Sequence, residues 1–161
     1  MESRWGAEEV VLRVRRLDEE VPLPSYANPG DAGLDLAAAV QVTIGPGERV
    51  AVPTGLAMAV PDGWVALVHP RSGLALRHGL TVVNAPGTID AGYRGEVKVL
   101  LVNLGDAPVT VARHDRIAQL VLQRVARAVV IESDSLDNST RSTGGFGSTG
   151  GFGSTGTAAP V

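Results

Sequence analysis

A chain of 161 residues, 44% of them hydrophobic and 19% charged, carries enough apolar surface for one domain with its own core and is too short for two ordinary ones. The absence of cysteine excludes disulfides, thiol nucleophiles, iron–sulfur ligation and cysteine-based zinc sites. A formal net charge of −3 argues against a protein that coats nucleic acid, because that affinity comes from an excess of Lys and Arg; a small anionic ligand needs only a local cluster of cations.

The first residues, with Glu2, Arg4, Glu8 and Glu9, form neither the basic nor the apolar region of a signal peptide. No apolar run reaches the roughly 18 residues that span a bilayer. The default expectation is a soluble cytoplasmic protein. From residue 10 to 131, short apolar runs are punctuated by Gly, Pro, Asp and Asn, which predicts an all-β fold of eight or more strands: a sandwich, jelly roll or barrel.

In chain order, alternation at residues 11–15 predicts the first strand, and Asn28-Pro29-Gly30-Asp31 a turn. Asp31-Ala32-Gly33-Leu34-Asp35-Leu36 then offers two carboxylates on a turn-like segment, able to hold a hydrated cation or to cap backbone amides. Strands are predicted at residues 40–44 and 65–68, with turns at Gly45-Pro46-Gly47 and Pro61-Asp62-Gly63. Pro70-Arg71-Ser72-Gly73-Leu74-Ala75 opens a helical stretch of a turn or two over 72–78. It suits a phosphate, through a hydroxyl and a guanidinium, or simply a turn capped by Ser72. No Gly-x-Ser-x-Gly accompanies the three histidines, so a Ser–His–Asp hydrolase is disfavoured.

The densest polar run is residues 84–96, from Asn84 through Pro86, Gly87, Thr88, Ile89, Asp90, Gly92 and Tyr93 to Glu96. It predicts a wide hairpin whose main chain could read a planar base, with Asp90 at its tip as a general base or merely as a turn former. Strands follow at 97–100, which holds the one lysine, Lys98, and at 109–111. In Asp115-Arg116-Ile117-Ala118-Gln119-Leu120, Arg116 and Gln119 lie three apart, so a regular strand would point them to opposite faces and a shared site requires a bulge. Residues 117–131 fit a helical face but hold enough β-branched side chains to favour strand. After Ser139 the composition turns to Gly, Ser and Thr, with TGGFGS in tandem and the chain's two phenylalanines, Phe146 and Phe152, inside the copies. The expected division is a β domain over 1–138 and a flexible arm over 139–161.

Together and in this order, DAGLDL, PRSGLA, NAPGTIDAGYRGE, DRIAQL and the arm from Arg141 resemble the five motifs of the homotrimeric dUTPase (dUTP diphosphatase) family, in an actinobacterial-like bacterial form. The resemblance implies a distorted jelly roll, a homotrimer with three shared active sites, and Mg²⁺-assisted hydrolysis of dUTP to dUMP and pyrophosphate. Carried onto this chain, it makes Asp90 the base for the attacking water, with Gln119 holding that water or the α-phosphate. Asn84 and the backbone of Gly87, Thr88, Ile89 and Asp90 bind uracil, Tyr93 excludes a 2′-hydroxyl, and Lys98 touches substrate. Arg71, Ser72 and Gly73 contact the phosphates, Arg116 steadies the subunit junction, and Asp35 reaches Mg²⁺ through water. Arg141 clamps the γ-phosphate and Phe146 covers the base. The chain departs from the family pattern at His114 and Ser142, where Gly is usual. A dCTP deaminase of the same fold and a non-catalytic dUTP-binding trimer are the alternatives; no nucleic acid or membrane partner is implied.

Overall fold

The computed structural model describes residues 9–137 and 139. Contacts divide the chain into two units, Met1–Arg127 and Ala128–Val161. The described part of the second unit contains no helix or strand. The first contains ten strands and one short helix among its described residues, the all-β content that the alternation predicts, and no described helix is long and apolar enough to cross a membrane. The elements are β1 (Arg13–Arg16), β2 (Leu34–Ala37), β3 (Val42–Ile44), β4 (Arg49–Ala59), β5 (Trp64–His69), α1 (Ser72–His78), β6 (Leu80–Val82), β7 (Gly87–Ile89), β8 (Glu96–Asn103), β9 (Val109–Val111) and β10 (Arg116–Arg124).

The strands form two four-stranded sheets, ordered β1-β4-β8-β6 and β2-β10-β5-β7, and a two-stranded sheet of β3 and β9. All pairs are antiparallel and most neighbours are distant in sequence, the crossing connectivity of a jelly roll. Alternation decides which faces are buried. In β8, Val97, Val99 and Leu101 go inward while Lys98 and Leu100 face out. Leu36, Ile44, Leu56, Leu80, Leu101, Ile117 and Leu120, from all three sheets, meet in one core cluster. The chain's two phenylalanines, Phe146 and Phe152, lie outside the described residues.

Two turns hold polar detail that matters for stability. Asn103 is completely buried; its Nδ2 donates to Ile44 O and Ala107 O, both at 2.9 Å, and its Oδ1 accepts from Gly105 N at 2.9 Å. Removing the carboxamide would strand three buried or half-buried backbone groups. Asn103→Ala is expected to cost about 2–4 kcal/mol, read as a lowered urea midpoint with an unchanged slope. At the other turn, His114 has φ 72 and is the one described non-glycine residue in the left-handed region, so the departure from glycine keeps the glycine-like backbone. Its N–H donates to Ala38 O at 2.8 Å. Next to it, Arg113 bridges Asp18 at 2.8 Å and Glu20 at 2.9 Å. The Glu20 N–H bonded to Asp18 Oδ1, helped by Arg113, holds the Asp18 carboxyl below the usual carboxylate range.

The strand expected over 117–131 ends at Arg124; residues 125–131 are exposed and have no regular structure. Their β-branched side chains favour extended backbone, but propensity alone does not make a ladder.

Candidate active site

Strands β6 and β8 pair directly, Leu80 with Asn103 and Val82 with Leu101. The polar run between them is thus the expected wide hairpin, with one addition: inside it β7 crosses to the other sheet and pairs with β5, Gly87 opposite Val68 and Ile89 opposite Ala66. That crossing leaves a cleft of about 490 Å³ lined by Asn84, Gly87, Thr88, Ile89, Asp90, Tyr93, Glu96 and Lys98, within the size range of small-molecule sites. A Cβ on Gly87 would lie 3.3 Å from Val68 Cβ and 3.4 Å from Asn84 Nδ2, so this glycine lets the Asn84 carboxamide come up against the backbone.

Asp90 follows β7 directly and is exposed. The turn after it is closed by backbone, Tyr93 N donating to Asp90 O at 3.0 Å, and no hydrogen bond or ion pair engages the Asp90 carboxylate among the described residues. The turn-former reading therefore accounts for its main chain and leaves its side chain unused. Tyr93 donates its hydroxyl proton to Glu96 O at 2.9 Å, fixing the ring beside the cleft.

The second cleft, about 840 Å³, contains Asp35, Arg71, Ser72, Gly73, Arg116 and Gln119. Strand β10 lies between β2 and β5, and its register against β2 shifts between Arg116 and Ala118. This is the bulge that a shared site demanded: Arg116 sits opposite Ala37 and Gln119 opposite Asp35, so both side chains emerge on one face. Arg116 Nη1 then donates to Asp35 Oδ2 at 3.0 Å, while Arg71 Nη1 lies 3.6 Å from Asp35 Oδ1 and donates to Arg116 O at 3.2 Å. The Asp35 side chain is only 17% exposed, so its pairing with the two arginines is screened less than that of a fully exposed ion pair. Asp31 accepts from Asn28 N at 2.8 Å and shapes the loop.

Helix α1 begins with Ser72, and its N-cap is Arg71 without a side-chain cap bond; the capped-turn reading of Ser72 is corrected, because Ser72 is already the first helical residue and the extended Arg71 before it takes the cap position. At the other end Gly79, with φ 66, donates its N–H to Ala75 O at 3.1 Å, and a Cβ there would lie 2.5 Å from Gly105 N, so only glycine fits. Arg141 and Phe146 lie outside the described residues.

Two residues were not singled out by sequence. Glu96 Oε2 is 3.8 Å from Lys98 Nζ and Glu96 Oε1 accepts from Gly55 N at 3.0 Å; the i, i+2 spacing on one strand face was its signal. Arg77 lines the second cleft, with Nη2 3.0 Å from where a Gly73 Cβ would sit; the i, i+4 spacing along α1 was its signal.

The dUTPase family model matches residues 19–150. The deoxyuridine 5'-triphosphate nucleotidohydrolase of Thermobifida fusca (strain YX) is 64% identical over 140 residues, covering 86% of this chain and 78% of its own. That of Rhodococcus erythropolis (strain PR4 / NBRC 100887) is 55% identical over 150 residues, covering 92% of each. Among solved structures, a mutant of the Staphylococcus bacteriophage 80alpha dUTPase with dUpNHpp superposes with a TM-score of 0.82 at 25% identity, covering 87% of this chain and 98% of its own.

Proposed function

The chain belongs to the dUTPase family, and from this premise and the two clefts we infer that it hydrolyses dUTP to dUMP and pyrophosphate, with Asp90 as the base for the attacking water. The carrying observation is the contrast between two carboxylates. Asp35 is engaged by Arg71 and Arg116, whereas Asp90 stands in the other cleft with no partner for its carboxylate among the described residues. A carboxylate held by two cations is an anchor; one left open beside a ligand cleft is able to take a proton.

In this reading the first cleft holds the nucleoside. Asn84 and the main chain of residues 87–90 pair with the edge of uracil, and the close approach at Gly87 leaves no room for a 5-methyl group. Tyr93, tied to Glu96 O, lies under the deoxyribose and turns away a 2′-hydroxyl. Lys98, steadied by Glu96, adds a contact to substrate. The second cleft holds the phosphates. Arg71 and Arg116 neutralise charge, Ser72 and Gly73 meet the α,β bridge where leaving-group charge develops, and Gln119 contacts the α-phosphate or the water. Attack at the α-phosphorus breaks its bond to the bridging oxygen, the water proton passes to Asp90, and pyrophosphate leaves. By resemblance Arg141 and Phe146 complete the site over the γ-phosphate and the base.

Mg²⁺ fits the second cleft as an ion carried in on the triphosphate. Among the described residues no three His, Cys, Asp or Glu side chains gather into a metal site, and Asp35, with both oxygens already near guanidiniums, suits contact through water. When bound, the ion supplies charge neutralisation on the phosphates. By resemblance the site is assembled from several copies in a homotrimer. A cytoplasmic location goes with the substrate, a soluble deoxynucleotide.

Incubation with Mg²⁺ and, separately, dUTP, dCTP, dTTP and UTP tests the reading. Pyrophosphate and dUMP from dUTP alone are expected; ammonia from dCTP would assign the deaminase reaction instead, and no product from any of the four would refute catalysis.

A further inference from the structure

We propose that Gly33 is a positioning residue for the reaction, its missing side chain forming the slot that holds the Gln119 carboxamide at the phosphate cleft. This rests on the reading of Gln119 as a group that touches the α-phosphate or the attacking water.

Glycine at position 33 is required by space and not by backbone. Gly33 is absent from the described glycines of positive φ, so any residue could adopt its conformation. A Cβ built there would nevertheless lie 2.8 Å from Gln119 Oε1, 3.1 Å from Gln119 Cβ and 3.4 Å from Gln119 Cδ. All three near atoms belong to one side chain. The other side of the carboxamide is held too, Gln119 Nε2 donating to Pro70 O at 3.1 Å. Because a carbonyl only accepts, the nitrogen is the atom toward Pro70 and the oxygen is the atom toward Gly33. One amide proton is spent on Pro70, and the second remains for a phosphate oxygen or water.

The topology explains why these three residues meet. Gln119 lies in β10, opposite Asp35 of β2 on one side and His69 of β5 on the other. Gly33 immediately precedes β2 and Pro70 immediately follows β5. The carboxamide is therefore gripped between the loop entering one neighbouring strand and the loop leaving the other. That second loop continues into Arg71 and Ser72, so the same grip ties the phosphate loop to β10.

A methyl group at position 33 would push the flexible carboxamide end of Gln119 and press its Cβ, which is fixed to β10, by a few tenths of an ångström; the carboxamide would shift and lose its bond to Pro70. Misplacement of a contact group by about 1 Å is enough to cost about 100-fold in rate. The test uses the full chain with Gly33→Ala, Gln119→Ala and the double substitution, measuring kcat, KM for dUTP and Tm. Gly33→Ala is expected to lower kcat by about 10- to 100-fold with KM held within about threefold. In the double variant kcat is expected to match Gln119→Ala within about twofold, since residues acting through one contact are not additive.

A Gly33→Ala enzyme with wild-type kcat, or losses that multiply in the double variant, would overturn the proposal. Gln119→Ala with wild-type kcat would remove the role of Gln119 and the proposal with it. If Gly33→Ala unfolds, the double variant must fold again with a Tm above that of Gly33→Ala, because the 2.8 Å collision with Oε1 and the 3.4 Å contact with Cδ are gone while the 3.1 Å contact with Cβ remains; a double variant that stays unfolded also overturns the proposal.

Discussion

Asp90→Asn is expected to lower kcat by about 10²- to 10⁴-fold while leaving KM within about threefold. The substitution keeps the shape of the side chain and removes its ability to take a proton. Its cost to folding is expected to be small, for the turn after β7 is closed by Tyr93 N on Asp90 O, a main-chain bond that asparagine retains. The carboxylate, exposed and without a partner among the described residues, contributes no bond that the variant loses. Single-turnover assays on the variant with an unchanged Tm would separate the chemical step from stability. A variant turning over at the wild-type rate would move the base elsewhere and leave the carboxylate of Asp90 without a function.

Asp35→Ala is the second large effect, and its mechanism is different. Asp35 holds Arg116 at 3.0 Å and Arg71 at 3.6 Å, and Arg71 also reaches Arg116 O. Without the carboxylate, two guanidiniums face each other with no counter-charge and lose their common anchor. A fall of about 100-fold in kcat/KM is expected from the displaced phosphate contacts. If Asp35 also supports Mg²⁺ through water, the Mg²⁺ concentration for half-maximal rate should rise by about 10- to 100-fold. Measuring rate against Mg²⁺ at saturating dUTP separates the two parts: a lower plateau reports the arginines and a shifted midpoint reports the ion. An unchanged plateau and midpoint would exclude both.

The five motifs were legible because each is a continuous run of particular residue types, in the order that the family pattern has. The strands were legible where alternation is strict, as in β8 and β9, and the helix over 72–78 was read to its boundaries. The bulge in β10 was legible only as a condition, since the three-residue spacing of Arg116 and Gln119 says that a shared face needs an extra residue but not that one is present. The excess of strand expected beyond Arg124 came from β-branched side chains, whose preference is realised only where a neighbouring strand supplies hydrogen bonds.

The amino-acid order by itself determined the all-β class, the turn positions and the family, because side-chain periodicity and turn chemistry act within a few residues and motifs are local patterns. Tertiary structure alone decided that β7 leaves the β6–β8 hairpin to pair with β5, and that Asp35 is bound by Arg71 and Arg116 while Asp90 stays open. It alone fitted Gly33 against Gln119. Each of these joins residues far apart in the chain, Asp35 and Arg116 being separated by 81 positions. Such pairings depend on strand order, register and one bulge, none of which has a local signal to be read.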